Sequence, residues 1–523
     1  MQKVKIGFVP STWESWDGSA YTGKLAGKMR ARCLEAFAKI PGLEIVAPSE
    51  ELTQDGCVGT VEEGMKAADL FNKENVQGLI IGNMNFGFET AIGAMLSKIR
   101  KDMPVLHFAT RSGPLSPQGN RANDTWCGQF MTCSALKRRG FKFEHIITCN
   151  PEDEIFASKV ETFTRACNAV SRFVGMRILQ VGTRPTGFES EFFSEEGLMR
   201  NFSQVLVPVD LATAYERMDA LTAENPEVQR IAKEIRGGAD LITDETPNSI
   251  VNQARFERML VELAEEYHCN TIASSCWESL QHRYGIAACS TFSRLNSQGY
   301  SVGCEVDVMG AITMSIMNSC ALGMIPADFI DWTDLHPTEP NVWLAWHCGN
   351  AACELCASNS KTHLMMNERL GLWGPYCYGS MEFRMKDGPV TCARMVEYDG
   401  KYSIFYGTGE SIDIGPMTRG AYAWIKVNDV ADWEQKMIEV GCVHHGVLIH
   451  DAKVADALAM FCKFMGIEAV RRAVHYDTAN DYVYRILGCP GTMDYSIASR
   501  FGGFLPRRGN AGRSRRWDLQ RSG

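Results

Sequence analysis

The sequence contains no run of about 18 apolar residues, so no segment of it is expected to span a membrane. It also lacks a basic excess. Its 53 Lys and Arg stand against 62 Asp and Glu, and a net charge of −9 excludes a dedicated nucleic-acid binder. Neither GxGxxG nor GxxxxGK followed by Ser or Thr occurs. The glycines of "IGNMNFGF" and "VGTRPTGF" are spaced wrongly for a phosphate-cradling loop, so no nucleotide cofactor is expected. Cysteine is plentiful at 19, but paired CxxC units are missing. Cys348, Cys353 and Cys356 in "HCGNAACELCA" have no second pair to close a zinc site, so reduced, mostly buried thiols of a cytoplasmic protein are expected. The opening "MQKVKIGFVP" enters a strand-like run directly and has no signal-peptide pattern.

What is present is a chain of 523 residues, too long for one core, with 45% apolar and 22% charged residues, as in ordinary globular proteins. Apolar runs such as "VKIGFVP", "GLIIGN" and "PVLHFAT" alternate with amphipathic stretches such as "VEEGMKAADLFNKENV". This rhythm predicts βαβ units and a parallel sheet over residues 1–173. A second α/β domain is expected over 174–350, from "MRILQVG" through the strand "NTIASSC". Beyond residue 350 the style changes. "GPVTCARMVEYDGKYSIFYGTGE" reads as a hairpin around "YDGK", which predicts a β-rich, antiparallel, barrel-like domain over 351–499. The tail over 500–523 holds seven arginines and one aspartate and is expected to be disordered.

Three segments place ionisable residues where apolar ones are expected. Glu305 and Asp307 interrupt "YSVGCEVDVMGAITMSIM", and buried acids are costly unless paired, hydrogen-bonded or bound to a metal. They could equally be core acids or the first turn of a helix. In "ADFIDWTDLHPTEPNVWLAWHCGN", Asp331 and Asp334 lie near the start, and His347 ends an apolar strand. In "CVHHGVLIH", His444 and His445 are adjacent and, on one strand, should face opposite sides. Two histidines and two carboxylates from separate segments form a mixed N/O set that suits Mn²⁺ or Fe²⁺ better than zinc held by sulfur.

The stretch "CWESLQHRYGIAACSTFSRLNSQGYSVGCEVDVMGA", with "FIDW", "WHCGN" and "HHGV" later, resembles the L-fucose isomerase and L-arabinose isomerase superfamily over nearly the whole chain to about residue 495. The resemblance implies two Rossmann-like α/β domains followed by a β-rich one. It also implies an aldose–ketose isomerase that moves a proton through a cis-enediol on an open-chain sugar. It implies a divalent ion, usually Mn²⁺ (Mg²⁺, Co²⁺ or Fe²⁺ in its place), held by Glu305, Asp331 and His445, with His347 as a further ligand and Asp334 as the alternative to Asp331. Glu305 and Asp331 would also carry the proton, and Trp277 and Gln281 would line the sugar. A homo-oligomer, often a hexamer, is implied. The loop "PSTWESWDGSA" departs from the arginine-bearing loop of the fucose isomerases and argues against L-fucose itself. The alternatives are an isomerase or epimerase of a C6-substituted hexose, and a non-catalytic sugar-binding protein.

Overall fold

The computed structural model describes residues 1–13, 24–113, 115–367 and 377–472. The arginine-rich tail at 500–523, the end of the expected third domain and most of the first loop fall outside them. Apolar strands and amphipathic helices alternate from the start. Strands β1 (Val4–Ser11), β2 (Leu43–Val46), β3 (Gly78–Asn83), β4 (Val105–Ala109) and β5 (Phe143–Ile146) form a parallel sheet in the order β2-β1-β3-β4-β5. β3 and β4 are buried along their whole length, which is why they read as unbroken apolar runs. The helix Val61–Lys73 starts at a capping box, in which the Thr60 hydroxyl accepts from the Glu63 N–H and the Glu63 carboxylate accepts from the Thr60 N–H.

A second parallel sheet contains β6 (Arg177–Val181), β7 (Val205–Val209), β9 (Thr271–Ser274) and β10 (Ser301–Gly303), ordered β10-β9-β6-β7. The intervening strand β8 (Leu241–Ile242) joins the edge of the third sheet. In that sheet, β11 (Asp328–Leu335), β12 (Val342–His347), β15 (Gly388–Tyr398), β16 (Lys401–Ile412), β17 (Ala421–Lys426) and β18 (His445–Ile449) pair antiparallel. The β16–β17 pairing closes the order β16-β15-β18-β11-β12-β17 into a six-stranded barrel. Strands β13 (His363–Met366), β14 (Tyr378–Arg384) and β19 (Glu468–Arg472) extend it at its margins. The α/β class with a β-barrel at the C-terminal end agrees with the sequence.

One placement differs. β11 and β12 belong by sequence to the central segment 174–350, yet they pair within the barrel. All six residues of β12 are buried, so "VWLAWH" lacks the alternation that would mark an antiparallel strand.

The long helix Glu154–Phe173 links the layers by packing against the helices Val308–Cys320 and Val454–Met465. Its buried Arg165 donates to the Cys320 carbonyl at 3.0 Å and to Asp451 at 2.8 Å. Removing one partner of such a buried pair costs about 3–5 kcal/mol. Among the described residues, no helix is long and apolar enough to cross a membrane.

Candidate active site

The segments after β6 and β10 bring Glu191 and Glu305 to the start of β18 and the middle of β11, where they meet His445 and Asp331. After β10 the chain turns sharply: Glu305 and Val306 both have left-handed backbones, at φ 58° and 62°. A left-handed conformation is uncommon outside glycine and an outlier for a β-branched valine, so the surrounding packing must impose it. The turn sends Glu305 into the cluster and leaves Asp307 to start the helix Val308–Cys320, where its Oδ1 accepts from the Gly310 N–H at 2.8 Å. Asp331 and His445 are direct partners across the β11–β18 ladder, so their side chains share one face. Gly446 follows His445 because a side chain there would collide with the Trp332 indole, 2.2 Å from an added Cβ.

His445 is the centre. It is 1% exposed, and its Nδ1 lies 3.0 Å from Asp307 Oδ2 and 3.4 Å from Glu191 Oε1. Its Nε2 lies 3.4 Å from Glu305 Oε2 and 3.6 Å from Asp331 Oδ1. Arg394 grips Asp307 through both terminal nitrogens, one of them at 3.0 Å from Oδ1. The Asp307 carboxylate therefore stays ionised, accepts the Nδ1 proton and leaves Nε2 to face the other two acids. A carboxylate behind an imidazole in this way is the usual support of a metal-ligating histidine.

The electrostatics follow from these contacts. Burial alone would lower the His445 pKa, but its contact with Asp307 and the neighbouring Glu305 carboxylate outweigh it and push it up to about 10. Burial alone would raise Glu305, but His444 and His445 hold it well below the usual carboxylate range. Asp307 is likewise held well down, with Arg394 and His445 overcoming its burial. Glu191 is the exception. Burial, then the charge of Asp307, push it up to about 9, so it carries a proton at neutral pH.

Glu305, Asp331 and His445 come together as expected. Asp334 does not: it is exposed and its Oδ1 accepts from the Leu335 N–H. Asp331, His347 and His445 each bring a donor atom within 4.8 Å of the others, as do Glu191, Glu305, His444 and His445. His347 is placed close by, but its Nδ1 accepts from the Cys348 N–H at 2.9 Å, so the neutral ring carries its proton on Nε2. Trp277 lies at the cluster, where its Nε1 donates to Glu305 Oε1 at 3.0 Å and its ring packs edge-on against Phe188. Gln281 is 5% exposed and donates to the Cys276 carbonyl, which makes it an anchor behind the loop.

Two residues escape a sequence reading. His444 and His445 do not diverge: their Nε2 atoms lie 3.8 and 3.4 Å from Glu305 Oε2. The strand begins only at His445, so strand alternation does not govern His444. Glu191 is buried, but its flanks in "FESEFFSEEG" are acidic and read as surface; nothing in the sequence marks it.

The donor set fits a divalent ion. Glu305 Oε2 and Asp331 Oδ1 are buried acceptors without a hydrogen-bond partner, both near His445 Nε2. Two carboxylates with an imidazole suit Mn²⁺ and its relatives.

Comparison with known proteins identifies the family. Residues 18–174 match the family model described as the fucose/sulfoquinovose isomerase N-terminal domain, and residues 345–471 match the L-fucose isomerase C-terminal domain. A sulfoquinovose isomerase from Alkalicoccus urumqiensis is 25% identical over 358 residues, covering 67% of this chain and 76% of that protein. Another from Priestia aryabhattai is 21% identical over 480 residues, covering 90% of this chain and 99% of its own length. A third, from Clostridium sp. (strain MSTE9), is 25% identical over 403 residues, or 75% and 86%.

Proposed function

Because the chain belongs to the L-fucose isomerase family and is an aldose–ketose isomerase, we propose that its substrate is a hexose with an anionic group at C6, a sulfonated sugar of the sulfoquinovose type, and that it works with a divalent ion held by Glu305, Asp331 and His445. The observation that carries the ion site is the convergence of two buried carboxylate oxygens, one from Glu305 and one from Asp331, on Nε2 of His445. The sugar class rests on the names of the relatives and on the sequence of the loop at 10–20, which departs from the fucose-isomerase pattern.

Moving the carbonyl from C1 to C2 requires that a proton leave C2 and that one be delivered to C1. A divalent ion bound here supplies a Lewis acid that acidifies the C–H beside the carbonyl. Glu305 and Asp331 are the carboxylates placed to accept and return the carbon-bound proton. Trp277 fixes one oxygen of Glu305, which leaves the other for the reaction. His347, protonated on Nε2, is a hydrogen-bond donor for a sugar oxygen in place of a fourth ligand. Trp277 and Phe188 form the apolar wall against which the carbon chain lies. A homo-oligomer is part of the same reading, by resemblance to the family.

The test is a panel of sulfoquinovose, L-fucose, L-arabinose and D-arabinose in D₂O with metal-stripped protein, with and without Mn²⁺, followed by NMR. Mn²⁺-dependent conversion of the sulfonated sugar, with deuterium entering at C1 or C2, is the expected result. Faster conversion of L-fucose would overturn the substrate class. Full activity after metal removal would overturn the ion.

A further inference from the structure

A second group of metal-ligating side chains lies in the first sheet, in residues the isomerase chemistry does not use. His107 on β4 and His145 on β5 are direct partners in the parallel ladder and so stand side by side on one face. The helix Thr125–Arg138 crosses that face and brings Cys133 to them. His107 Nδ1 lies 3.1 Å from His145 Nδ1 and 3.5 Å from Cys133 Sγ. His107 is fully buried, Cys133 half-buried and His145 exposed, so the group opens outward.

The hydrogen bonds fix the state of His107. The Asn83 Nδ2 donates to the Phe86 carbonyl at 2.8 Å, so Asn83 Oδ1 is the acceptor that faces His107 Nε2, also at 2.8 Å. The Thr132 hydroxyl donates to the same oxygen at 3.2 Å. His107 therefore holds its proton on Nε2 and turns a bare Nδ1 lone pair toward His145 and Cys133. This is the arrangement that outer partners impose on a metal-bound imidazole. Burial, then the nearby His145, push His107 down to about 3, and burial also lowers His145, so both rings are neutral and able to ligate at neutral pH.

The spacing is that of one coordination sphere. Bonds of about 2.05 Å to nitrogen and 2.3 Å to sulfur at tetrahedral angles place two nitrogens about 3.3 Å apart, and nitrogen and sulfur about 3.6 Å apart. The observed separations are 3.1 and 3.5 Å. Burial pushes the Cys133 thiol up to about 11, so it is a thiol in the free protein, and coordination would remove its proton.

We propose that His107, Cys133 and His145 form a second cation site, selective for a thiophilic divalent ion of the Zn²⁺ class and separate from the isomerase centre. Two imidazoles and a thiolate leave one position open on the exposed side. An ion there fastens the covering helix to β5, the edge strand of its sheet.

The test uses the full-length chain, stripped of metal and titrated with Co²⁺ as the probe. A thiolate-to-cobalt charge-transfer absorption in the near ultraviolet is expected in the wild type, because the isomerase ligands are oxygen and nitrogen. C133S and H145A, both at accessible positions, should each abolish it and weaken Zn²⁺ affinity in chelator competition by at least 100-fold. Isomerase activity should stay at the wild-type level in both. No charge-transfer absorption in the wild type would overturn the site and leave a hydrogen-bonded histidine pair. An absorption that survives in C133S would also overturn it, by tracing the signal to another thiol.

Discussion

The two histidine clusters are built alike: Asp331 with His445 and His107 with His145 are direct partners on neighbouring strands. They differ in what stands behind the central ring. At His445 an ionised Asp307, backed by Arg394, anchors Nδ1 and presents Nε2 to two more acids. At His107 an amide oxygen anchors Nε2 and presents Nδ1 to nitrogen and sulfur. The first ring is pushed up to about 10 and the second down to about 3, although both are buried. Burial alone does not set a histidine's charge. The partner of its second nitrogen does, and with it the kind of ion the other nitrogen suits.

The largest break in this comparison comes from removing a carboxylate from the first cluster. Glu305→Gln and Asp331→Asn should each lower kcat by about 10³-fold, with circular dichroism unchanged. Either variant at wild-type rate would remove that residue from the site. Next, Asp307→Asn gives His445 an amide anchor like that of His107. It keeps the helix cap but leaves Arg394 without its counter-charge. Activity should fall about 10–100-fold, stability by about 3 kcal/mol, and an NMR titration should find the His445 pKa shifted down. A His445 pKa that stays put would show that Glu305, not Asp307, sets it. Smaller again, Trp277→Phe deletes one hydrogen bond to Glu305 worth about 1 kcal/mol, so kcat/KM should fall about fivefold.

A break of another kind, in stability and not in rate, concerns an acid with neither kind of support. Asp328 is fully buried on β11, both its oxygens lack a hydrogen-bond partner, and burial raises its pKa well above the ordinary value. The folded state holds that proton more tightly than the unfolded chain. Its stability therefore declines as pH rises above about 4, the unfolded value, toward the folded one. Asp328→Asn carries no such penalty. Urea unfolding should show the variant more stable at pH 8 and level with wild type at pH 3. Equal stability at both would show that Asp328 has a partner.

Much of this was legible in the sequence where one local rule sufficed. "VKIGFVP" and "GLIIGN" became buried parallel strands, and "YDGK" became the turn between β15 and β16, where Tyr398 pairs with Lys401 and Asp399 and Gly400 adopt positive φ. Glu305, Asp331 and His445 met because each was a polar residue in an apolar run. What failed needed information from distant chain. Glu191 is buried beside Asp307 and His445, more than 100 residues away, in a stretch that reads as surface. The role of His444 turned on a strand boundary one residue later. β12 reads as part of the central α/β segment because both its faces are buried, one in the main core and one in a separate cluster with Tyr422 and Trp424.

The pairing of Asp331 with His445 also limits how this protein can change through descent. Two of the three proposed ligands face each other across a single rung of one ladder, so a single inserted residue before Asp331 in β11 would turn the acid to the opposite face. The irregularity in β11 lies just past that point, between Trp332 and Asp334, where the strand leaves β18 behind. Length changes are therefore tolerable on the Asp334 side and ruinous on the Asp328 side. Lineages that keep the activity should vary in length after Trp332 and hold the count fixed from Asp328 to Asp331.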